Sequence, residues 1–290
     1  MTVDRRLLLR AAALAGLTAG SGALSACSSG PGTRPGAAPL SLAARPQPSD
    51  RATPGADPAG TPAAGSPAAS GTAQPGAAVP PVPALPPLAA GTPEEVVNGP
   101  RDRPQIALTF HGQGDPAIAE SVLRTAEQHG ARVTVLVVGS WLDEQPQIAR
   151  RILDGGHELG NHTQNHRNIA ALTPDQVRQE IAECADRLQR LTGSIGRWFR
   201  PSAAQYASRT VRDQARLVGY EHCLSFDIDP RDYTDPGSDT VQKRVVNAVG
   251  NGSVVALHLG HRGTADAMPG ILAGLAGRGL TAVTASELCA

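Results

Sequence analysis

The sequence lacks a net charge, because its 26 Lys and Arg residues balance its 26 Asp and Glu residues. A protein that holds a polyanion through bulk electrostatics carries a large basic patch or stripe. The chain is therefore not expected to bind nucleic acid, or acidic lipid by charge alone.

Aromatic residues are also scarce, and none lies among the first 100 positions. The eight that occur are Phe110, Trp141, Trp198, Phe199, Tyr206, Tyr220, Phe226 and Tyr233. Residues 28–100 instead hold 17 of the 25 prolines and consist mostly of Ala, Gly, Pro, Ser and Thr. Such a segment cannot bury enough apolar surface to offset its chain entropy. We predict a disordered tether over residues 28–100 and a folded domain over residues 101–290.

The amino-terminal apolar run is too short for a membrane span. After Arg5, Arg6 and Arg10 come about 16 uncharged residues, fewer than the ~20 that a transmembrane helix needs. A charged start, an apolar run and a small-residue end are typical of an export signal, here over residues 1–27. The arginine pair resembles a twin-arginine signal, and L-S-A-C resembles a bacterial lipobox with Cys27 as the lipidated residue. We expect an extracytoplasmic lipoprotein that is anchored to the membrane through Cys27, or a protein secreted to the cell envelope.

Cysteine is limited to four residues. If Cys27 is lipidated, Cys184, Cys223 and Cys289 remain, an odd number for an oxidising compartment. At most one disulfide within the chain is expected, and the sequence leaves its pairing open.

From residue 105 onward, short β-branched runs alternate with amphipathic stretches. Strands are predicted at 105–110, 133–138, 158–160, 198–200, 222–226, 253–257 and 281–284. Helices are predicted at 117–129, 146–154, 174–191, 209–218, 239–249 and 268–277, with caps at Thr173, Ser208 and Ser238. Seven βα repeats predict an α/β fold, most economically an irregular (β/α)7 barrel with a parallel sheet, and a doubly wound open sheet is the alternative.

Titratable or cationic residues follow or end five of these strands. They are His111, His162, His166, Arg200, Asp227, Asp229 and His258. Because the carboxyl ends of parallel strands share one rim, one functional site is expected there.

The segment N-H-T-Q-N-H places His162 and His166 four residues apart. One helix-like turn would present both imidazoles to a single ion, and two histidines with a carboxylate and a water form an open metal site that activates the water. His129 is interpreted as a helix-end residue, and His157 and His222 as structural residues.

Five segments over about residues 104–288 resemble successive motifs of one enzyme family. They are E-L-G-N-H-T-Q-N-H-R-N-I-A-A-L-T-P-D-Q-V-R-Q-E-I, W-F-R-P, D-P-R-D-Y-T-D-P-G, V-V-A-L-H and T-A-V-T-A-S-E-L. The chain resembles the polysaccharide deacetylases, the carbohydrate esterase family 4 with the NodB homology domain. The resemblance implies an irregular (β/α)7 barrel with one divalent ion, expected to be zinc. It also implies a metal-dependent hydrolase that removes N-acetyl or O-acetyl groups from a cell-envelope glycan.

The resemblance also implies roles for site residues. His162 and His166 match two metal ligands. Arg200 matches the arginine that positions the catalytic base, and His258 matches the general acid that protonates the leaving amine. Asp229 and Asp232 match the acidic pair of the fourth motif, one of which orients that histidine. A carbonyl polarised by a metal and a histidine that titrates near neutral pH suit amide hydrolysis.

The first motif departs from the family pattern T-F-D-D-G, in which a base is followed by a metal ligand. Here Thr109-Phe110 is followed by H-G-Q-G-D, so His111 occupies the base position and Gly112 the ligand position. Arg200 beside His111 would lower the pKa of the imidazole, which favours His111 as a ligand or substrate contact over His111 as base.

Three alternatives remain open for the missing ligand. Asp115 could loop back as metal ligand and catalytic residue, although its position before Pro116 also suits a helix N-cap. His111 could join His162 and His166 in a three-histidine site. Otherwise no metal binds tightly, and the protein is a catalytically silent glycan-binding lipoprotein on the same fold. A further alternative, a metal-independent hydrolase of small cyclic amides, conflicts with the export signal.

Overall fold

Eight parallel strands form one sheet within residues 84–290, the part of the chain that this computed structural model describes. The strands are β1 (Glu95–Val96), β2 (Gln105–Gly112), β3 (Thr134–Val137), β4 (Glu158–Asn161), β5 (Trp198–Phe199), β6 (His222–Leu224), β7 (Val254–His258) and β8 (Thr281–Val283). The helices are α1 (Pro116–Gln128), α2 (Gly139–Glu144), α3 (Gln147–Asp154), α4 (Pro174–Thr192), α5 (Arg209–Val218), α6 (Ser238–Ala248), α7 (Arg262–Gly277) and α8 (Ala285–Leu288).

The sheet has the order β1-β6-β5-β4-β3-β2-β7, and β8 also pairs with β2. Beyond β6, Ile228 forms a single parallel bridge with Val255 of β7. The two ends of the strand row therefore approach each other without continuous pairing. The expected α/β fold is confirmed as an irregular barrel of parallel strands that is not fully closed.

Alternate residues of the strands face two different hydrophobic clusters, as the period of two in a strand requires. Ile106, Leu108 and Phe110 of β2 pack in the cluster that contains the buried faces of α1, α6 and α7. Ala107 of β2 and Ala256 of β7 pack in a second cluster that is built mainly from other strands. The side chains of residues 109 and 111 of β2 lie on the same side of their strand as Ala107, and that of residue 258 of β7 lies on the same side as Ala256. These three residues therefore face the barrel interior.

Local signals in the sequence set several helix ends. Thr173 caps α4 in a reciprocal capping box with Gln176, and Ser208 caps α5, both as predicted. The prediction that Ser238 is a cap is wrong, because Gly237 precedes the first turn of α6 and Ser238 lies inside it. The expected start of a helix at residue 268 is also wrong, because α7 begins six residues earlier and contains Pro269. Neither β1 nor α2 is among the predicted elements, since two and six residues are too few to show a periodicity.

The predicted export signal at residues 1–27, lipidation at Cys27 and the tether over residues 28–83 lie outside the described residues. The tether boundary at residue 100 is corrected by the structure, because β1 pairs with β6 and buries Val96. Within residues 84–290, no helix is both long and apolar enough to cross a bilayer. Cys184, Cys223 and Cys289 are buried and form no disulfide with one another.

Candidate functional site

The carboxyl ends of β2 and β7 bring two histidines into contact. His111 and His258 lie opposite each other in the register of these neighbouring strands. The Nδ1 atom of His111 is 2.8 Å from the Nε2 atom of His258, a hydrogen-bond distance. Two residues that the sequence places at the common rim are thus bonded directly to each other.

Asp232 holds His258 from the other side. This aspartate is buried at the start of a 3₁₀ turn over Asp232–Thr234. Its Oδ1 atom lies 2.8 Å from Nδ1 of His258 and accepts the backbone N–H of Tyr233 at 3.1 Å. Its Oδ2 atom accepts the backbone N–H of His258 at 2.7 Å and the hydroxyl of Thr264 at 2.6 Å. Asp232 is therefore the member of the predicted acidic pair that orients His258.

These contacts fix the tautomers of both imidazoles. A carboxylate that accepts several hydrogen bonds has no proton to give, so Nδ1 of His258 must donate to Asp232. In neutral His258 the Nε2 atom is then an acceptor, and it accepts a hydrogen bond from the Nδ1–H of His111. The Nε2 atom of His111 consequently carries a lone pair, and it is buried without a hydrogen-bond partner among residues 84–290.

His162, directly after β4, lies against His111. Its Nδ1 atom is 2.9 Å from the carbonyl oxygen of Arg200, so Nδ1 carries the proton and Nε2 a lone pair. The rings of His162 and His111 are stacked, with centroids 4.3 Å apart. The ring of His166 meets His162 edge-on at 4.9 Å, and a positive φ of 51° places it there. The structure thus assembles His111, His162, His166 and His258 in one cluster.

Burial disfavours the charged form of the two stacked imidazoles. It lowers the pKa of His111 well below its ordinary value, and the charges of His162 and Arg200 lower it further. It likewise lowers the pKa of His162, to which His166 adds, while the bond to the Arg200 carbonyl opposes the change. Arg200 therefore lowers the pKa of His111, as the sequence predicts, although desolvation is the larger cause.

Arg200 is fully buried and contacts no carboxylate of residues 84–290. Its guanidinium donates to the carbonyl oxygens of Leu224 and Ser225 and to the hydroxyl of Thr109, and it lies 5.3 Å from the centre of the Phe226 ring. Its Nη1 atom has no partner among the described residues. Burial without a counter-ion lowers the pKa of Arg200 to about 9. The carboxylate base that the family resemblance pairs with this arginine is absent, because His111 stands in its place.

The missing carboxylate ligand is not supplied by Asp115. This residue is exposed, and its carboxylate caps α1 by accepting the backbone N–H of Ala117 at 2.8 Å. Its assignment as metal ligand and catalytic residue is therefore corrected to a helix N-cap. At Gly112, an added Cβ would lie 2.8 Å from a methyl group of Val135 and 3.2 Å from Cα of Val137, so the strand next to it leaves no room for a side chain.

The histidines alone do not complete a metal site either. Within residues 84–290, no three or more His, Cys, Asp and Glu side chains are arranged to hold a metal ion. The lone pairs of His111 and His162 are available, but the carboxylate-and-two-histidine set of the family is not assembled. The residues present do not fit the divalent ion that the resemblance implies.

A cavity of about 330 Å³ opens beside this cluster. Its walls include His111, His166, Phe226, Asp229, Tyr233 and His258. Asp229 is exposed and accepts the backbone N–H of Arg231, so it borders the cavity without holding His258. Asp227 lies two residues before Asp229 and pairs with Arg101 at 2.6 Å. The cavity is therefore lined by imidazoles, two aromatic rings and the exposed carboxylate of Asp229.

The sequence interpretation missed a second aspartate–histidine pair next to the first. Nδ1 of His261 lies 2.8 Å from Oδ1 of Asp235, and its ring centroid is 5.8 Å from that of His258. The signal was present, because Asp232 and Asp235 are three residues apart and so are His258 and His261.

Comparisons with known proteins agree on one family. The family model described as polysaccharide deacetylase matches residues 98–223. A peptidoglycan-N-acetylglucosamine deacetylase of Bacillus cereus is 31% identical over 193 residues, which are 65% of this chain and 90% of that protein. A chitooligosaccharide deacetylase of Sinorhizobium fredii is 30% identical over 54% of this chain and 73% of its own. The chain spans only 38% of the length of the peptidoglycan-N-acetylmuramic acid deacetylase PdaC of Bacillus subtilis and 60% of that of YlxY from the same organism.

Solved structures share the fold. The Bc1960 peptidoglycan N-acetylglucosamine deacetylase superposes with a TM-score of 0.63 at 26% identity, over 67% of this chain and 92% of that one. BA3943 from Bacillus anthracis, described as a pseudoenzyme of carbohydrate esterase family 4, has a TM-score of 0.65 at 22% identity, over 69% of this chain and 70% of its own. At that identity the second similarity supports the fold alone.

Proposed function

Because the chain belongs to the polysaccharide deacetylase family, whose hydrolases act on carbon–nitrogen bonds other than peptide bonds, we propose that it removes acetyl groups from an amino-sugar polymer of the cell envelope. The bond cleaved is the amide of an N-acetyl group, and an O-acetyl ester is the alternative. The observation that carries the proposal is the buried Asp232–His258 pair at the edge of a cavity large enough for a sugar ring.

The reaction needs a group that accepts a proton and later returns it. In the proposed sequence a water adds to the acetyl carbon, and its proton passes to the linked imidazoles of His258 and His111. The pair then returns a proton to the nitrogen as the carbon–nitrogen bond breaks, which leaves acetate and a free amino sugar. Asp232 stabilises the imidazolium that forms in between, because its carboxylate lies 2.8 Å from Nδ1 of His258.

Binding of the zinc ion expected from the family resemblance is tested separately from these steps. A divalent ion, when bound, polarises the carbonyl and supplies a nucleophile. The described residues do not assemble its usual ligand set, so no step above is routed through it. Metal analysis of purified wild-type and His162→Ala protein tests this part, since a stoichiometric ion that is lost in the variant would establish a metal site.

A second candidate function is glycan binding without catalysis. It is favoured by Gly112, which provides no ligand side chain and is closed in by Val135 and Val137. A silent module would bind acetylated oligosaccharides and release no acetate from them.

The deciding experiment is acetate release from tetra-N-acetylchitotetraose and from peptidoglycan fragments. The full chain is assayed after chelation and again with added zinc or cobalt. We expect activity that falls in His258→Ala and in His111→Ala. Asp115→Asn is the matched control, because asparagine preserves the helix cap. Oligosaccharide binding with no acetate release under any condition would reject the deacetylase and support the silent module.

The cellular location is also proposed rather than derived from the fold. We infer an extracytoplasmic lipoprotein from the L-S-A-C segment and the arginine pair. Fractionation tests it: the wild-type chain should sediment with membranes. Cys27→Ala should release the processed chain, and replacing Arg5 and Arg6 with lysine should stop export. Membrane association that persists in Cys27→Ala would reject the lipid anchor.

A further inference from the structure

A second cavity, of about 390 Å³, lies next to the candidate active site. It shares one lining residue with the first cavity, and that residue is His258. The proton-transferring imidazole therefore borders both cavities. A ligand that reaches from one cavity to the other must pass His258.

The unusual H-G-Q-G-D turn builds one wall of the second cavity. Gly114 has a φ of +107°, and an added Cβ would lie 2.5 Å from Cα of Gly260, so the two backbones are in direct contact. The indole N–H of Trp141 donates to the carbonyl oxygen of Gly114 at 2.9 Å, which ties the turn to α2. This wall is fixed by backbone packing and a hydrogen bond, and it comes from the residues in which the chain departs from the family's first motif.

The lining of the second cavity is polar. Gln113, Ser140 and Glu144 line it, and their side chains make no hydrogen bond or ion pair with another residue between 84 and 290. His261 also lines it, and Asp235 holds its Nδ1 atom, which leaves Nε2 for a ligand. An amide, a hydroxyl, a carboxylate and an imidazole together offer donors and acceptors that suit the hydroxyl groups of a sugar.

We propose that this cavity, with Gln113, Ser140, Glu144 and His261, binds a second sugar unit of the same glycan, beside the unit that loses its acetyl group. The inference rests on the proposed function, and it assigns residues of this chain to the sugar unit next to the one that is deacetylated. The unpaired carboxylate of Glu144 selects an uncharged unit over one that bears a carboxylate.

The test compares N-acetylglucosamine, its dimer and tetra-N-acetylchitotetraose as ligands of the full chain. Dissociation constants are measured by calorimetry, and kcat/KM for acetate release is measured in parallel. The wild-type chain should prefer the tetramer to the single sugar by at least about tenfold. Glu144→Ala and His261→Ala should each reduce this preference by about tenfold, which corresponds to about 1.4 kcal/mol.

Two controls separate binding from folding. Glu221→Ala removes another exposed carboxylate that has no partner between residues 84 and 290. Glu221 lies next to the start of β6 and so at the opposite rim, and this variant should keep the wild-type length preference. Glu144→Gln keeps the shape of an exposed side chain and should reduce the preference by a smaller factor of about two to three, because a neutral acceptor is weaker than a charged one.

The outcomes distinguish the two proposals. A wild-type chain without length preference, or variants at Glu144 and His261 that keep it, would overturn the second subsite even if acetate is released. Length-dependent binding that requires Glu144, without acetate release, would support the subsite and reject the deacetylase. No binding of any of the three ligands would overturn both.

Discussion

Replacing Asp232 with asparagine exchanges one oxygen of a buried carboxylate for an amide nitrogen and tests the tautomers assigned to the site. The Oδ2 position accepts the backbone N–H of His258 and the hydroxyl of Thr264, so the amide oxygen must take that position. The amide NH₂ then faces Nδ1 of His258. Because two donors cannot share one contact, His258 has to move its proton to Nε2, and His111 in turn has to protonate its own Nε2.

The cost of this exchange follows from the contacts at Oδ1. Two N–H groups donate to that oxygen, at 2.8 Å from His258 and 3.1 Å from Tyr233. The first contact is restored when His258 changes tautomer, but the backbone N–H of Tyr233 cannot change. One partly buried donor loses its acceptor, which costs about 0.5–1.5 kcal/mol of unfolding free energy. The equivalent exchange in a Ser-His-Asp triad lowers kcat by on the order of 10⁴ through the wrong tautomer, and a loss of that kind is expected here.

Two measurements check the prediction. Long-range ¹H–¹⁵N spectra of the imidazoles should show the protonated nitrogen of His258 at Nδ1 in the wild type and at Nε2 in Asp232→Asn. Urea unfolding gives the free energy. Thr264→Val is the control, because it removes one donor to Asp232 and leaves the carboxylate facing His258. Identical ring nitrogen shifts in the wild type and Asp232→Asn would refute the assigned chain of hydrogen bonds.

Three further predictions concern the strands and the buried groups. Gly112→Asp places a Cβ 2.8 Å from Val135, so urea unfolding should show a loss of about 1–3 kcal/mol that Val135→Ala partly restores; a variant as stable as the wild type would contradict the packing argument. Burial raises the pKa of Glu158, so the folded state holds its proton at pH values where the unfolded chain has lost it. The unfolding free energy, measured by urea titrations at several pH values, should fall as the pH rises from about 4.3 toward that raised pKa, and the fall should be smaller in Glu158→Gln. An equal fall in the wild type and the variant would count against this prediction. Burial raises the pKa of Cys184 and Cys223 to about 12 and that of Cys289 to about 11, so in a Cys27→Ser chain a thiol reagent should label these cysteines only after denaturation; rapid labelling of the native protein would show that they are accessible.

Local signals in the sequence were enough for most of the fold. The seven predicted strands are all present within a few residues, and the caps at Thr173 and Ser208 are where the side chains allow them. Errors arise where the deciding contact is not local. The helix predicted to start at residue 268 begins earlier, because α7 continues through Pro269 and packs against α6.

The site was predictable as a set of residues but not as a set of bonds. The sequence predicts that His111, His162, His166 and His258 lie at one rim, because the carboxyl ends of parallel strands lie on one side of the sheet. It could not show that His111 is bonded to His258, since that contact depends on β2 and β7 being neighbours in register. For Asp115 the sequence allowed either a metal ligand or a helix N-cap. The structure shows the cap, which the adjacent Pro116 favours, because a cap depends only on local geometry.

The position of β2 has a consequence for how the chain folds. Its residue Ala107 lies opposite both Val254 and Val283, so two neighbours of this strand come from the last part of the sequence. While a ribosome has delivered only residues up to β6, one edge of β2 has nothing to pair with and can pair with other chains instead. Closing such a long loop makes folding slow. A deletion from the carboxyl end that removes Thr281–Val283 would leave residues 105–107 of β2 without the neighbour that β8 provides on the edge shared with β3.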